Sequence, residues 1–227
     1  MKKNTAILIF ANSAEREGLN KPFSQSAYLF KALNTGIQEK TKKTNLPYYI
    51  ISETQQFGNT FGERFTNAIE SIFKKGFDNI ITVGNDTPHL NTSHILEAQK
   101  KLETNSLVLG PSQDGGFYLM GINKSVFNAK LFVNLPWQSS ILNQHIFNLF
   151  SLKKVDIACL ETLIDIDNVL DIKKVINSFK NLSINIRKIL LKIITSAKAK
   201  SKHILQFLKL NTVSTSRNKG SPIVFSI

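Results

Sequence analysis

Two apolar runs that each break at a glycine constrain this chain more than any other feature. Ile80-Ile81-Thr82-Val83 stops at Gly84 and is followed by Asn85-Asp86-Thr87-Pro88; Leu107-Val108-Leu109 stops at Gly110 and leads through Pro111-Ser112-Gln113 to Asp114-Gly115-Gly116. A short continuous apolar run bounded by turn residues reads as a strand buried on both faces. Strands of that kind, alternating with segments of helical period, predict a three-layer α/β domain with a largely parallel, Rossmann-like sheet and helices on both faces. An aspartate just past the C-terminal end of such a strand stands where open α/β sheets bind ligands. Asp86 and Asp114 both qualify, and two such carboxylates can converge on one cation.

Around these runs the pattern continues. Thr5–Phe10 reads as a first strand; its Met1-Lys2-Lys3 opening imitates a signal peptide, but the apolar run is short and leads into charge rather than a cleavage site. Asn12 to Lys21 reads as a polar loop, and Pro22 to about Gln38 as a helix with Phe23, Ala27, Phe30 and Leu33 on one side. Leu46 to Ser52 is a second strand. Thr60 with Glu63 matches a capping box that opens a helix to about Lys75, closed by Gly76. Further helices are predicted from about Ser93 to Glu103 behind Asn91, and from Ile141 to Phe150. His89 and His94 read as surface or capping residues.

Gly84-Asn85-Asp86-Thr87-Pro88-His89-Leu90, followed by Leu109-Gly110-Pro111-Ser112-Gln113-Asp114-Gly115-Gly116-Phe117-Tyr118-Leu119-Met120-Gly121, resembles the DUF2064 proteins. That group looks like a branch of the GT-A nucleotide-diphospho-sugar transferase superfamily, related to molybdenum-cofactor and phospholactate guanylyltransferases. The likeness covers about three-quarters of the chain and fades beyond Val175. It implies a GT-A sheet and a first loop that holds a nucleotide diphosphate. In Ala14–Pro22 the candidates for that role are Arg16, Gly18 and Lys21, with Glu15 and Glu17 among them. The run Gly58-Asn59-Thr60-Phe61-Gly62-Glu63-Arg64 has a counterpart in the family, which points Arg64 at substrate phosphates; as a first-turn residue it also suits a surface whose stem covers apolar area. Leu135-Pro136-Trp137 matches as well, and Trp137 suits either the floor of an acceptor pocket or plain packing. Leu163-Ile164-Asp165-Ile166-Asp167-Asn168-Val169-Leu170-Asp171 resembles the family's closing aspartates. Asp165 and Asp167 alternate on an extended segment and point to one side, or one of them caps the helix from Leu170.

Transfer from a nucleotide-linked donor develops negative charge on a departing phosphate, and a hard cation with carboxylate ligands stabilises that charge. The resemblance therefore implies Mg²⁺ or Mn²⁺ on Asp86 with Asp165 or Asp167. Asp114 stands as an acceptor-side contact or base, with Gly115 and Gly116 letting backbone approach the ligand. All four aspartates also suit strand-end loops that bond their own backbone. The donor is a nucleotide-sugar or a nucleoside triphosphate, with glycosyl transfer preferred. One aspartate after Gly84-Asn85, rather than Asp-x-Asp, is closer to nucleotidylyl transfer and leaves that alternative standing. A third reading is a relative that binds ligand without turnover.

Charge divides the chain. Of its 29 Lys and Arg, 12 lie from Ile172 onward, where there is no acidic residue, leaving 17 against 16 acids before it. The net charge of +13 thus describes a tail. We expect a transferase domain over 1–180 and a basic helical extension over 181–227. In the extension Ile184, Ile186, Ile189, Leu190, Ile193 and Ile194 form one apolar side, and Asn211 to Ser221 has the composition of a disordered end. That stripe suits docking on its own domain or on anionic lipid; nucleic acid is not the expected partner. The single cysteine, Cys159, excludes an internal disulfide and fits a reducing, cytoplasmic setting, free or peripheral to a membrane.

Overall fold

A computed structural model describes residues 3–178 and 180–212. Six strands form one sheet: β1 (Thr5–Phe10), β2 (Tyr48–Ile51), β3 (Asn79–Val83), β4 (Leu107–Pro111), β5 (Phe117–Asn123) and β6 (Ile157–Cys159), in the order β2-β1-β3-β5-β4-β6. β1 runs parallel to β2 and β3, and β4 parallel to β6. β5 is antiparallel to both of its neighbours, so the sheet is mixed at its centre. The cause is local: the turn through Asp114-Gly115-Gly116 sends the chain straight back along β4, which needs no crossover. The two apolar runs that opened the argument are therefore not neighbours, because β5 lies between them.

Side-chain alternation splits the sheet into two buried faces. Ala6, Leu8, Ile80, Leu107, Leu109 and Met120 pack under α3 (Phe61–Phe73), α5 (Ala129–Val133) and α6 (Leu142–Leu152). Ile7, Ile9, Ile81, Val83 and Val108 face the other way, towards α2 (Ser26–Lys42) and α4 (Thr92–Lys101). The three-layer arrangement follows from those two faces. α3 begins where its sequence says: Thr60 Oγ1 accepts from the Glu63 amide at 3.1 Å, and the Glu63 carboxylate accepts from the Thr60 amide at 3.1 Å. Phe65, Ala68, Ile69, Ile72 and Phe73 then bury one stripe.

Four sequence expectations change. The stretch expected as a polar loop contains α1 (Ala14–Asn20), started by Ser13, whose hydroxyl accepts from the Arg16 amide, with Glu15 and Glu17 in its first turn. Acidic residues there complement the helix dipole, and few apolar residues are needed for so short a helix. The helix expected from Pro22 starts at Ser26. α7 (Val169–Asn177) is capped by Asn168, whose side chain accepts from the Leu170 and Asp171 amides at 2.8 and 3.3 Å, so neither Asp165 nor Asp167 has that task. His94 does cap α4, taking the Asn91 amide on Nδ1 at 2.9 Å, but it and His89 are buried rather than on the surface.

The extension begins as α8 (Ile184–Thr212), and it is not separate from the core. Ile186, Ile189, Leu190 and Ile193 are buried in a third apolar cluster with Leu29, Phe30 and Leu33 of α2, Ile166, and Ile172 and Val175 of α7. Four residues of the stripe thus dock on the chain's own domain, while Ile184 at the start of the helix is 74% exposed. Among the described residues no helix is long and apolar enough to cross a membrane. The disordered end expected over Asn211 to Ser221 is helical at Asn211 and Thr212 and beyond them lies outside the described residues.

Candidate functional site

The C-terminal ends of β1 and β3 and the loop after β4 open into one cavity of about 980 Å³. Arg16, Lys21, Arg64, Asp86, Asp114, Gly116, Trp137, Asp165 and Asp167 all line it. Gly18 and Gly115 do not. Gly18 lets α1 close on α2, since a Cβ there would lie 2.8 Å from the Ala27 Cβ.

One extended segment draws the carboxylates together. The Leu163 amide donates to the Pro111 carbonyl at 3.1 Å and the Leu163 carbonyl accepts from Gln113 at 3.0 Å. Three residues on, the Ile166 amide donates to the Asp86 carbonyl at 2.9 Å. The segment is thus strung between the loop after β4 and the loop after β3, and Asp165 comes to Asp86. The Thr87 hydroxyl donates to Asp165 Oδ1. Both carboxyls are half-buried, which favours their neutral form. Asp165 is pushed up to about 8 by burial and then by the Asp86 charge. Asp86 is pushed up to about 6 by burial and by Asp167 and Glu17, with Lys21 acting against the rise.

Asp167 is the outer member and pairs with Lys21, Nζ to Oδ1 2.6 Å. Burial alone would lower the Lys21 pKa; the Asp86 and Asp167 carboxylates outweigh it and raise the value. Asp114 shapes its own loop: Oδ1 accepts from the Ser112 hydroxyl at 2.7 Å and the Gly116 amide at 2.9 Å. Arg64 is fixed by the loop before α3, donating from Nε to Gln56 Oε1 at 3.3 Å and from NH1 to the Asn59 carbonyl at 3.2 Å. Trp137 uses its indole N–H on the Phe132 carbonyl at 2.6 Å and packs within 5.4 Å of Phe61 and 5.1 Å of Phe65, ring centre to ring centre. It packs against these rings and lines the cavity at once.

Sequence reasoning missed two acids. Glu17 is buried, accepts from Asn12 Nδ2 at 2.7 Å and lines the cavity beside Lys21. Glu53, after β2, accepts from the Ser13 amide at 2.7 Å and from its hydroxyl, which pins α1 to the cavity rim. Ser13 followed by Glu15 and Glu17 was the available signal for a helix start; Glu53 had none.

Raised carboxyl pKa values set a pH dependence. The folded protein holds protons that the unfolded chain, with Asp near about 4, has lost, so stability falls as pH rises from about 4 to 8 and levels off above it. Thermal melts should show a midpoint higher by about 4 °C or more at pH 5.5 than at pH 8. Asp165→Asn should flatten that slope and raise the pH 8 value. A variant with the wild-type slope would remove Asp165 from its cause.

Residues 31–139 match the family model described as "Uncharacterized protein conserved in bacteria (DUF2064)". No curated protein matches the chain. Among solved structures, a provisionally named nucleotide-diphospho-sugar transferase from Desulfovibrio desulfuricans G20 superposes with a TM-score of 0.72 at 20% identity, over 84% of this chain and 94% of that one. Two remoter likenesses carry no argument. They are the 4-diphosphocytidyl-2C-methyl-D-erythritol synthase of Anaerococcus prevotii DSM 20548 (TM-score 0.48, 10% identity, 75% of this chain and 95% of that one) and Rv0371c of Mycobacterium tuberculosis H37Rv in complex with manganese (0.46, 8%, 78% and 99%). With its Gly-Asn-Asp and Asp-Gly-Gly-Phe-Tyr segments at the mouth of one cavity, the chain is similar to the DUF2064 family over residues 31–139 and shares the α/β fold of the Desulfovibrio structure.

Proposed function

We propose that the protein is a divalent-metal-dependent transferase acting on a nucleotide-linked donor, with glycosyl transfer from a nucleotide-sugar preferred. The observation that carries the reading is the pairing of Asp86 and Asp165 at the strand ends of a cavity whose rim also bears Arg16 and Arg64. Among the described residues no group of three or more His, Cys, Asp or Glu side chains is arranged to hold an ion. Two neighbouring carboxylates, with the Asp86 charge raising the Asp165 pKa, nevertheless fit Mg²⁺ or Mn²⁺, which take one or two protein carboxylates and fill the shell with water and phosphate oxygens. When bound, such an ion supplies neutralising charge to a departing phosphate.

The remaining work falls to the chain. Arg16 and Arg64 hold donor phosphates at the rim, where a guanidinium pairs with two oxygens at once. Asp114 Oδ2, which accepts from no described residue, takes a proton from an acceptor hydroxyl. Gly116 leaves space beside it, and the ring face of Trp137 bounds the acceptor side. The single aspartate after Gly84-Asn85 favours the second reading, nucleotidylyl transfer to a phosphorylated small molecule. Product analysis separates the two: glycosyl transfer releases a nucleoside diphosphate or monophosphate, nucleotidylyl transfer releases pyrophosphate.

The direct test is a thermal-shift screen of nucleoside triphosphates and nucleotide-sugars in Mn²⁺ and in EDTA. At least one nucleotide should raise the melting midpoint in Mn²⁺ and not in EDTA, and Asp86→Ala should abolish the rise. A rise that survives in Asp86→Ala would reject the metal assignment; no rise with any nucleotide would reject the donor.

A further inference from the structure

The cavity already contains a cation. Lys21 follows directly after α1, and its amide donates to the Glu17 carbonyl at 2.9 Å, which fixes where the side chain starts. From there the stem crosses the Phe30 ring, with Nζ 5.5 Å from its centre, and the ammonium reaches Asp167 Oδ1 at 2.6 Å. The side chain is 13% exposed, and Asp86 and Glu17 also bear on its charge. Three carboxylates, Glu17, Asp86 and Asp167, thus bear on one ammonium, and Asp165 lies beside Asp86 on the same cavity wall.

We propose that Lys21 is a resident counter-ion that excludes divalent metal from the unliganded cavity and yields its place when donor phosphates arrive, so that metal and donor enter together. The inference rests on the donor reading above and deepens it. A divalent ion held by Asp86 and Asp165 would take up the Asp86 carboxylate whose charge already acts on the ammonium, and the repulsion between the two cations disfavours both occupying the carboxylate cluster. Phosphate oxygens remove the conflict by giving Lys21 another partner. Lysine suits this exchange because it is a point charge on a flexible four-carbon stem, whereas arginine is held by a planar fork. The Phe30 ring beneath it is itself packed against α8, so the position from which Lys21 moves is rigid.

The test compares wild type, Lys21→Met and Lys21→Arg as full-length protein. Methionine keeps an apolar stem over Phe30 and removes the charge; arginine keeps the charge. Titration with Mn²⁺ alone, read by the electron paramagnetic signal of the free ion, should show Lys21→Met binding about tenfold tighter or more than wild type. Lys21→Arg should stay as weak as wild type. In thermal melts, Mn²⁺ and pyrophosphate together should stabilise wild type well beyond the sum of either alone, while Lys21→Met should respond to Mn²⁺ alone. Lys21→Gln serves in the same comparison should the methionine variant fail to fold. Equal Mn²⁺ affinity in wild type and the neutral variants overturns the inference, as does the absence of Mn²⁺ binding in all of them. The donor reading is judged separately, by whether wild type is stabilised by any nucleotide. A nucleotide response with unchanged Mn²⁺ affinity therefore leaves that reading standing and removes only the role of Lys21.

Discussion

Leu190→Asp is expected to unfold the protein or bring it close to unfolding, while Leu191→Asp, one residue along the same helix, should be nearly silent. Leu190 is 0% exposed and Leu191 45%. Leu190 lies in the cluster that joins α8 to Phe30 and Leu33 of α2 and to Ile172 and Val175 of α7. Removing a buried leucine from such a site costs about 2–5 kcal/mol, and leaving an unpaired carboxylate in its place adds to that. Against a total stability of about 5–15 kcal/mol the loss is most of what holds the fold. Chemical denaturation of the two variants measures it. A Leu190→Asp midpoint within about 1 kcal/mol of wild type would mean that α8 is an appendage after all. The consequence reaches the cavity: Phe30, over which Lys21 Nζ lies, belongs to the cluster that α8 completes, so loss of the helix should loosen Lys21 as well.

Gly115→Ala is the second large effect. Gly115 has φ of +94°, a region that L side chains rarely adopt, and an added Cβ would lie 1.9 Å from the Ser140 carbonyl oxygen. That oxygen is backbone, so no rotamer change relieves the clash; either the Ser112–Gly116 turn or the start of α6 has to move. The two are bonded to each other, since the Asn143 amide donates to the Gly115 carbonyl at 3.0 Å. We expect a loss of about 3 kcal/mol or more, read as a melting midpoint lower by roughly 6–12 °C. Because Asp114, Gly116, Ser139 and Ser140 line the cavity, nucleotide response should fall with it even below the melting transition. Gly76→Ala makes the contrast: φ is +94° there too, but a Cβ would meet nothing within 4 Å, so backbone strain acts alone and the cost should be near 1 kcal/mol. Equal effects at the two positions would show that the Ser140 contact is not what makes Gly115 necessary.

Local pattern made part of this protein legible before any coordinates. β1, β3 and β4 were readable because strands covered on both faces must be continuously apolar, and Asp86 and Asp114 because a strand that stops at glycine hands its next polar residue to the ligand-binding edge. The Thr60–Glu63 cap was readable because both partners lie within one turn. Other features rest on pairings between distant residues, which no local period records. β5 entered the middle of the sheet because a tight turn folded it back, and the same residues looked like the tail of a motif. Lys21 meets Asp167 across 146 positions, so a loop lysine that suits phosphate in the sequence is, in the folded chain, already paired. Glu17 looked like a charge out of place until α1 turned it inward. The stripe on α8 could be seen in sequence, but periodicity reports only that a face is to be buried and not against what; α2 and α7 supplied the answer. The pKa shifts of Asp86 and Asp165 are of the same kind, since burial and the effect of the Asp86 charge on Asp165 exist only once residues 79 positions apart in the chain share one wall.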